Sequence, residues 1–414
     1  MDRTPGAFDE TPGLMAKKLF KRRELMLVNP FLWKRCRQLI IGACFIIALF
    51  PLFQVDMGLA QNFQSPLNVI RIIPHPSDPN IVYALDQSRG IFKSYDKGMS
   101  WKVKNLGLDQ LPEILPLSIH PEFFTELAME KSSPDILYLV KNWLIFKSQD
   151  GGETWAFSGN GTESFEYGTN NPTYFINEVV THPIQSGTVY AGTIVGGATG
   201  GVFRSTDGGI TWTQLAGDNI PGSGLGNDAS PIVIDPIDPL RIYAGGVHSI
   251  FFRSIDGGFH WVRNDPIPGV EGSVWPRDLV VNPLNRAEIF MGVYIFSPER
   301  VYKTFLSRDF GLSWSEVTQI KGAIQSIQFA PRNPNIVYAI SIAKPQALDP
   351  PSNPIIALLY RSANNGVTWT EIGSHPLGYQ TVAIDPFDPQ HIYLGTQHGG
   401  VIQSFDGGDS FITR

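Results

Sequence analysis

Apolar residues in this chain come in short runs. From about residue 61 onward one succession repeats: an apolar run, a turn built on proline, a second run ending in an aromatic residue, a third run stopping at serine, and a tight polar hairpin closed by another aromatic. The first two runs meet at Ile72-Ile-Pro-His-Pro76, Val180-Thr-His-Pro183, Val233-Ile-Asp-Pro236, Val281-Asn-Pro283, Phe329-Ala-Pro331 and Val382-Ala-Ile-Asp-Pro386. They reach Tyr83, Tyr190, Tyr243, Phe290, Tyr338 and Tyr393, and a further copy, His120-Pro121 to Tyr138, is stretched by an acidic insert. Runs of this length, rich in β-branched and aromatic residues and bounded by Gly, Pro, Asn and Asp, predict β-strands.

The hairpin is the sharpest signal. Ser94-Tyr-Asp96-Lys-Gly98-Met-Ser-Trp101 recurs around Asp150, Asp207, Asp256 and Asp309, each followed at the same spacing by tryptophan. The sixth copy has Asn364 in place of the acid, and the seventh has Asp406 with Phe411 in place of tryptophan. Seven copies over residues 61–414, 354 residues, give about 51 per unit, the length of a four-stranded blade. A lone four-stranded sheet cannot bury both faces, whereas seven packed radially can. The expected fold is therefore all-β: a single seven-bladed β-propeller over residues 61–414, preceded by a separate segment, 1–60.

These hairpins resemble the Asp-box (BNR) repeat family, and the resemblance covers essentially all of 61–414. It implies that the box residues Asp96, Asp150, Asp207, Asp256, Asp309, Asn364 and Asp406 are structural. Each side chain would accept hydrogen bonds from turn N–H groups while glycine supplies a positive φ and the aromatic packs on the adjoining blade. Hairpins on separate blades lie too far apart to converge on one ion, so no metal and no cofactor is expected. His75, His120 and His182 each precede proline in the same repeat position and read as turn residues.

Binding residues should lie on the opposite face of the disc, where loop length is irregular. From the aromatic ending the second strand to the box serine there are 10 or 11 residues in blades one, two, four and seven, but 15, 17 and 24 in blades three, five and six. The inserts Thr193–Gly201, Tyr294–Val301 and Ser341–Pro354 and the inter-blade links Ser158–Thr173, Gly217–Asp228 and Asp265–Asp278 gather Glu163, Glu166, Tyr167, Asp218, Asp228, Glu271, Trp275, Arg277, Tyr294, Glu299 and Arg300. Trp143 and Tyr379 join them. Acids mixed with aromatics suit a sugar, whose faces stack and whose hydroxyls hydrogen-bond, and equally a protein anchored on aromatic and arginine side chains.

Residues 1–60 differ in kind. Eight bases between Lys17 and Arg37 precede the uncharged run Leu39–Phe53, and Gly58-Leu59-Ala60 has the small residues of a signal-peptidase site. Fifteen apolar residues suit a cleaved signal peptide, and the long basic region suits a retained anchor over residues 39–55. Either way the propeller is expected to be exported and to work outside the cytoplasm. Removing the nine bases and five acids of 1–60 from totals of 32 and 38 leaves 23 and 33, a net charge near −10 that argues against nucleic acid. Cys36 and Cys44, the only cysteines, both precede residue 61, so the propeller has no disulfide and no thiolate chemistry.

Four kinds of Asp-box protein can be weighed. Val69-Ile-Arg71-Ile-Ile-Pro74 is similar to the sialidase Arg-Ile-Pro signature, but those enzymes use six blades. Sortilin-type receptors carry a cysteine-rich module. Tyr83-Ala-Leu-Asp86-Gln-Ser-Arg-Gly90 resembles the segment in which xyloglucanase-type glycosidases hold a catalytic Asp, which makes Asp86 the one catalytic candidate. The adjacent double glycine is missing, and those enzymes place the partner carboxylate on a second propeller. Photosystem II assembly-factor propellers are single, exported and seven-bladed and bind protein. The expectation is a monomeric, non-catalytic recognition or assembly scaffold for a protein or glycan partner, with a glycoside hydrolase-like propeller acting on extracellular polysaccharide as the alternative.

Overall fold

The computed structural model describes residues 66–110, 123–160, 162, 175–194, 201–215, 230–246, 249–264, 267, 274–296, 301–343 and 356–413. Among them are seven four-stranded antiparallel sheets, each with its strands in chain order from first to fourth. Blade one comprises Val69–Pro74, Val82–Asp86, Gly90–Ser94 and Lys102–Val103. The first strands of the remaining blades are Phe124–Met129, Ile176–Thr181, Ile232–Ile234, Val274–Val281, Ala323–Phe329 and Tyr379–Ile384. Six of the seven outermost strands are two residues long, which keeps the exposed sheet edges short.

Second strands are buried on both faces because each blade is sandwiched between its neighbours, and the segment Val82–Asp86 is buried throughout. Their aromatics fill the gap between blades, with Tyr83, Tyr138, Tyr190, Tyr243, Tyr338 and Tyr393 fully buried. The Tyr83 hydroxyl donates to the Gly151 carbonyl in the next blade's box at 2.9 Å, and Tyr190 repeats the bond to Gly257 at 3.0 Å. Close approach also needs a missing side chain. A Cβ on Gly292 would stand 1.8 Å from the Ile324 carbonyl oxygen of the following blade.

In every box the serine hydroxyl sits at the centre. In blade three, Ser205 Oγ accepts from Gly209 N at 2.8 Å and donates to Asp207 Oδ1 at 2.8 Å, while Asp207 accepts from Thr211 N at 2.9 Å and from the Thr211 hydroxyl at 2.6 Å. Asn364 keeps the same Oδ1 bonds but donates from Nδ2 to the Thr368 hydroxyl at 2.8 Å, reversing one bond. The box aromatics reach back into the preceding blade. Trp155 Nε1 donates to Lys104 O at 2.8 Å and Trp212 Nε1 to Ser158 O at 2.6 Å.

Among the described residues no strand is exchanged to close the ring, because blade one is built from Val69–Val103 and blade seven from Tyr379–Thr413. Side chains do the closing instead. Gln403 Nε2 donates to Gly98 O at 3.0 Å, Gln380 bonds Asn68, and Val69 and Ile72 share a core with Ala383, Tyr393 and Val401.

Candidate functional site: the mouth of the channel

First strands pack against one another around the centre of the disc, and most carry an irregularity at one level. The pairing register shifts between Val69 and Arg71, Phe124 and Glu126, Pro276 and Asp278, Ile324 and Ser326, and Tyr379 and Thr381, and in blade three between Ile176 and Glu178. A bulge adds one residue and re-aims the side chains beyond it. The residues after the shift, Arg71, Glu126, Glu178, Asp278, Ser326 and Thr381, thus form one polar layer.

The layer faces the lumen. Arg71 of blade one feels the charges of Glu178 on blade three and Asp278 on blade five, and these blades are not neighbours, so their side chains meet only across the common channel. Arg71 Nη2 is ion-paired with Glu126 Oε2, and Glu126 Oε1 also accepts from Leu127 N at 3.0 Å. Loss of solvation alone would lower the Arg71 pKa, but Glu126, Asp278 and Glu178 outweigh it and raise it.

Glu178 is held quite differently from Glu126. Burial and the nearby Glu126 charge push its carboxyl up to about 8, against the opposing pull of Arg71 and of its donors. Those donors, Ser230 Oγ at 3.0 Å and Ile232 N at 2.9 Å, both address Oε2. Burial likewise raises the Asp278 carboxyl, opposed by Arg71 and by the Leu279 and Ile327 N–H groups at 2.9 and 3.1 Å. Three of these bonds cross blades, so the layer also ties blade three to four and blade five to six.

Above this layer blade five continues upward. Its first three strands, Val274–Val281, Ile289–Ile295 and Val301–Ser307, run 8, 7 and 7 residues, and Trp275, Tyr294 and Tyr302 lie opposite one another across them. Tyr294 stacks on Tyr302 at 4.6 Å and meets Phe296 at 4.4 Å, Trp275 lies parallel to Phe296 at 6.1 Å, and the Arg277 guanidinium sits 5.4 Å over the Trp275 ring. Trp275 stands three residues before Asp278, about 10 Å of strand higher. A half-exposed aromatic shelf therefore overlooks the charged layer.

Of the residues singled out from sequence, Trp275, Arg277 and Tyr294 come together on this shelf. The expected loop Tyr294–Val301 is partly strand, because Tyr294 and Ile295 pair with Tyr302 and Val301. In blade six the third strand starts at Ile356 and pairs with Ala343, so part of Ser341–Pro354 is strand too. Trp143 lies in the second-to-third turn of blade two, edge-on to Phe123 at 4.5 Å and Phe175 at 5.3 Å. Tyr379 is buried in the core beside Ile384 and Leu394. Glu163, Glu166, Tyr167, Asp218, Asp228, Glu271, Glu299 and Arg300 lie outside the described residues, as does the whole of 1–60 with its expected signal or anchor.

Asp86 is fully buried at the end of its strand, with both oxygens committed. Oδ2 accepts from Leu67 N at 2.7 Å and Asn68 N at 2.9 Å, and Oδ1 from Ser88 N, Ser88 Oγ and Arg89 N at 3.0 to 3.1 Å. A carboxylate holding five donors closes a turn and offers no oxygen to a substrate. Sequence reasoning missed the channel layer, although a charge three residues into an apolar first strand recurs as Arg71, Glu126 and Glu178.

A family profile described as BNR/Asp-box repeat matches residues 203–214, the third box. A curated xyloglucanase of Hypocrea jecorina is 24% identical over 380 residues, 82% of this chain and 42% of that protein, so the chain spans less than half of its relative's length. Among solved structures, a GH74 enzyme of Niastella koreensis superposes with a TM-score of 0.62 at 17% identity, over 84% of this chain and 53% of its own. YCF48 from Cyanidioschyzon merolae superposes at 0.55 and 13% identity over 83% and 97%. These likenesses show the fold. The preference for a non-catalytic scaffold is overturned, since the curated relatives are named xyloglucanases, and the glycosidase alternative is the better supported of the two. The chain is a seven-bladed β-propeller of Asp-box repeats.

Proposed function

We propose that this propeller is a carbohydrate-active module of the glycoside hydrolase type, acting on a xyloglucan-type polysaccharide laid across the mouth of its central channel. One observation carries the reading: a carboxyl group pushed up to about 8, Glu178, shares a lumen with the ion-paired Glu126 beneath an aromatic shelf. Hydrolysis of a glycosidic bond needs one acid that is still protonated and a second carboxylate that is not. Glu178 is suited to the first role and Glu126, held against Arg71, to the second. The faces of Trp275 and Tyr294 suit a sugar ring, and Arg277 its hydroxyls. The 24% identity to a xyloglucanase along most of the repeat array supports the substrate class.

Release of reducing ends from xyloglucan, measured for the full chain beside Glu178→Gln and Trp275→Ala, tests the proposal. Glu178→Gln is expected to lower kcat by about 100-fold or more, and Trp275→Ala to act mainly on KM. Wild-type protein that neither cleaves xyloglucan or other β-glucans nor is retarded by them in an affinity gel would end this reading.

A further inference from the structure

On the underside, where the boxes lie, exposed apolar side chains are not spread evenly around the ring. Blade three shows Ile184 and Ile210, blade four Ile237 and Ile255, and blade five Leu284 and Leu312, each more than half exposed, with Ile255 at 67% and Ile210 at 64%. The box position of Ile210 and Leu312 holds Glu153 in blade two and Asp409 in blade seven, so the repeat itself does not demand an apolar residue there.

These three blades present one continuous surface, since each is clasped to the next at this level. The Tyr190 hydroxyl reaches Gly257, the Arg204 guanidinium lies 5.2 Å over Phe259, Arg241 lies 4.4 Å over Phe310, and Arg286 is 3.5 Å from Asp235. A cluster of exposed apolar side chains of this extent is often a binding surface. We infer that the underside of blades three to five is where a second copy of this chain docks, giving a two-fold dimer with the channel mouths facing outward.

Area and charge favour that occupant. Burying six such side chains removes on the order of 500 Å² of apolar surface, about the apolar share of one side of a standard interface of ~800 Å² per partner. The propeller as a whole is acidic, so two copies repel over most of their surface. In this sector three arginines face acids: Arg241 with Asp238 at 3.0 Å, Arg286 with Asp235, and Arg308 with Glu288 at 3.8 Å. A patch of balanced sign is the part of the body that can face itself. No lysine occurs between Phe175 and Tyr302, so little there would attract an anionic lipid surface.

Sedimentation velocity of the full chain over a concentration series tests the inference, with Ile210→Glu and Ile255→Glu beside Met99→Glu, an exposed box residue of blade one. A reversible dimer is expected, weakened about tenfold or more by either sector variant and unchanged by Met99→Glu. Deuterium uptake of wild-type peptides spanning 207–211 and 254–259, falling as concentration rises, gives the same answer without any substitution. A chain that stays monomeric, or a dimer indifferent to both sector variants, overturns the proposal. So does binding to phosphatidylglycerol-containing vesicles that the same variants abolish.

Discussion

Two sets of carboxylates in this propeller have been driven in opposite directions. The box acids on the underside lie at hairpins open to water, and hydrogen bonds from the Ser, Thr or His four residues on outweigh burial and lower them, Asp207, Asp256 and Asp406 to about 2. The channel acids Glu178 and Asp278 are raised, because burial and the Glu126 charge outweigh Arg71 and the donors they have. The balance between burial and donors decides the sign. An acid open to water and surrounded by N–H and O–H groups is held as an anion and serves the fold, whereas a buried one near another carboxylate is pushed toward its neutral form.

The largest expected effect breaks the channel side of this contrast. Arg71→Ala strands Glu126, a carboxylate with only 9% of its side chain exposed, without its cation. Removing one partner of a fully buried pair costs about 3–5 kcal/mol, and since Arg71 itself is 36% exposed to the lumen, about 2–3 kcal/mol is the better expectation. Chemical denaturation measures it, and Glu126→Gln added to Arg71→Ala should recover much of the loss. A single Arg71→Ala as stable as wild type would mean that channel water already satisfies Glu126.

Next comes the underside. Ser205→Ala leaves the buried Gly209 N–H without its acceptor and takes from Asp207 one of its donors. The expected loss is about 1–2 kcal/mol, read from the same unfolding curves. It should be the same at pH 5 and pH 8, because no titrating group is removed.

How far the contrast was visible beforehand differs between its two halves. The boxes were legible because Ser, Asp, Gly and Trp recur at fixed spacing within one hairpin, so the chemistry is local in sequence. The channel layer is assembled from single residues about fifty or more positions apart, on six of the seven first strands, and acquires meaning only when the ring closes. Trp275 and Tyr294 were found through loop length, yet their alignment with Tyr302 depends on a strand continuing where a loop was expected. Asp86 was misleading for a related reason. A short stretch resembling a catalytic segment says nothing about how many donors its carboxylate meets, and five backbone and hydroxyl groups had already claimed it.

The pH dependence sharpens the comparison further. Box acids whose folded pKa is depressed contribute stability that is present above about pH 3.8 and lost as the pH falls toward 2. Glu178 has the opposite sign. Raised from 4.5 to about 8, it contributes stability present below pH 4.5 and lost as the pH rises through 8. Wild type is therefore expected to lose Tm from pH 5 to 8 relative to Glu178→Gln. Parallel curves for the two proteins would place Glu178 in an ordinary aqueous environment.

The smallest expected effect is the finest probe of what a box acid contributes. Asn364 already supplies the Oδ1 acceptor for Ser362 and Thr368 N, and only the bond to the Thr368 hydroxyl runs the other way. Asn364→Asp would turn that hydroxyl into a donor, as Thr211 is toward Asp207. Since the hairpin is open to water, the gain at neutral pH should be at most about 0.5 kcal/mol. It should fade as the pH falls from about 3.8 toward 2 and the new carboxyl protonates. A gain that survives acidification would show that the box needs an oxygen at this position and not its charge, and the two sets of carboxylates would then differ in geometry alone.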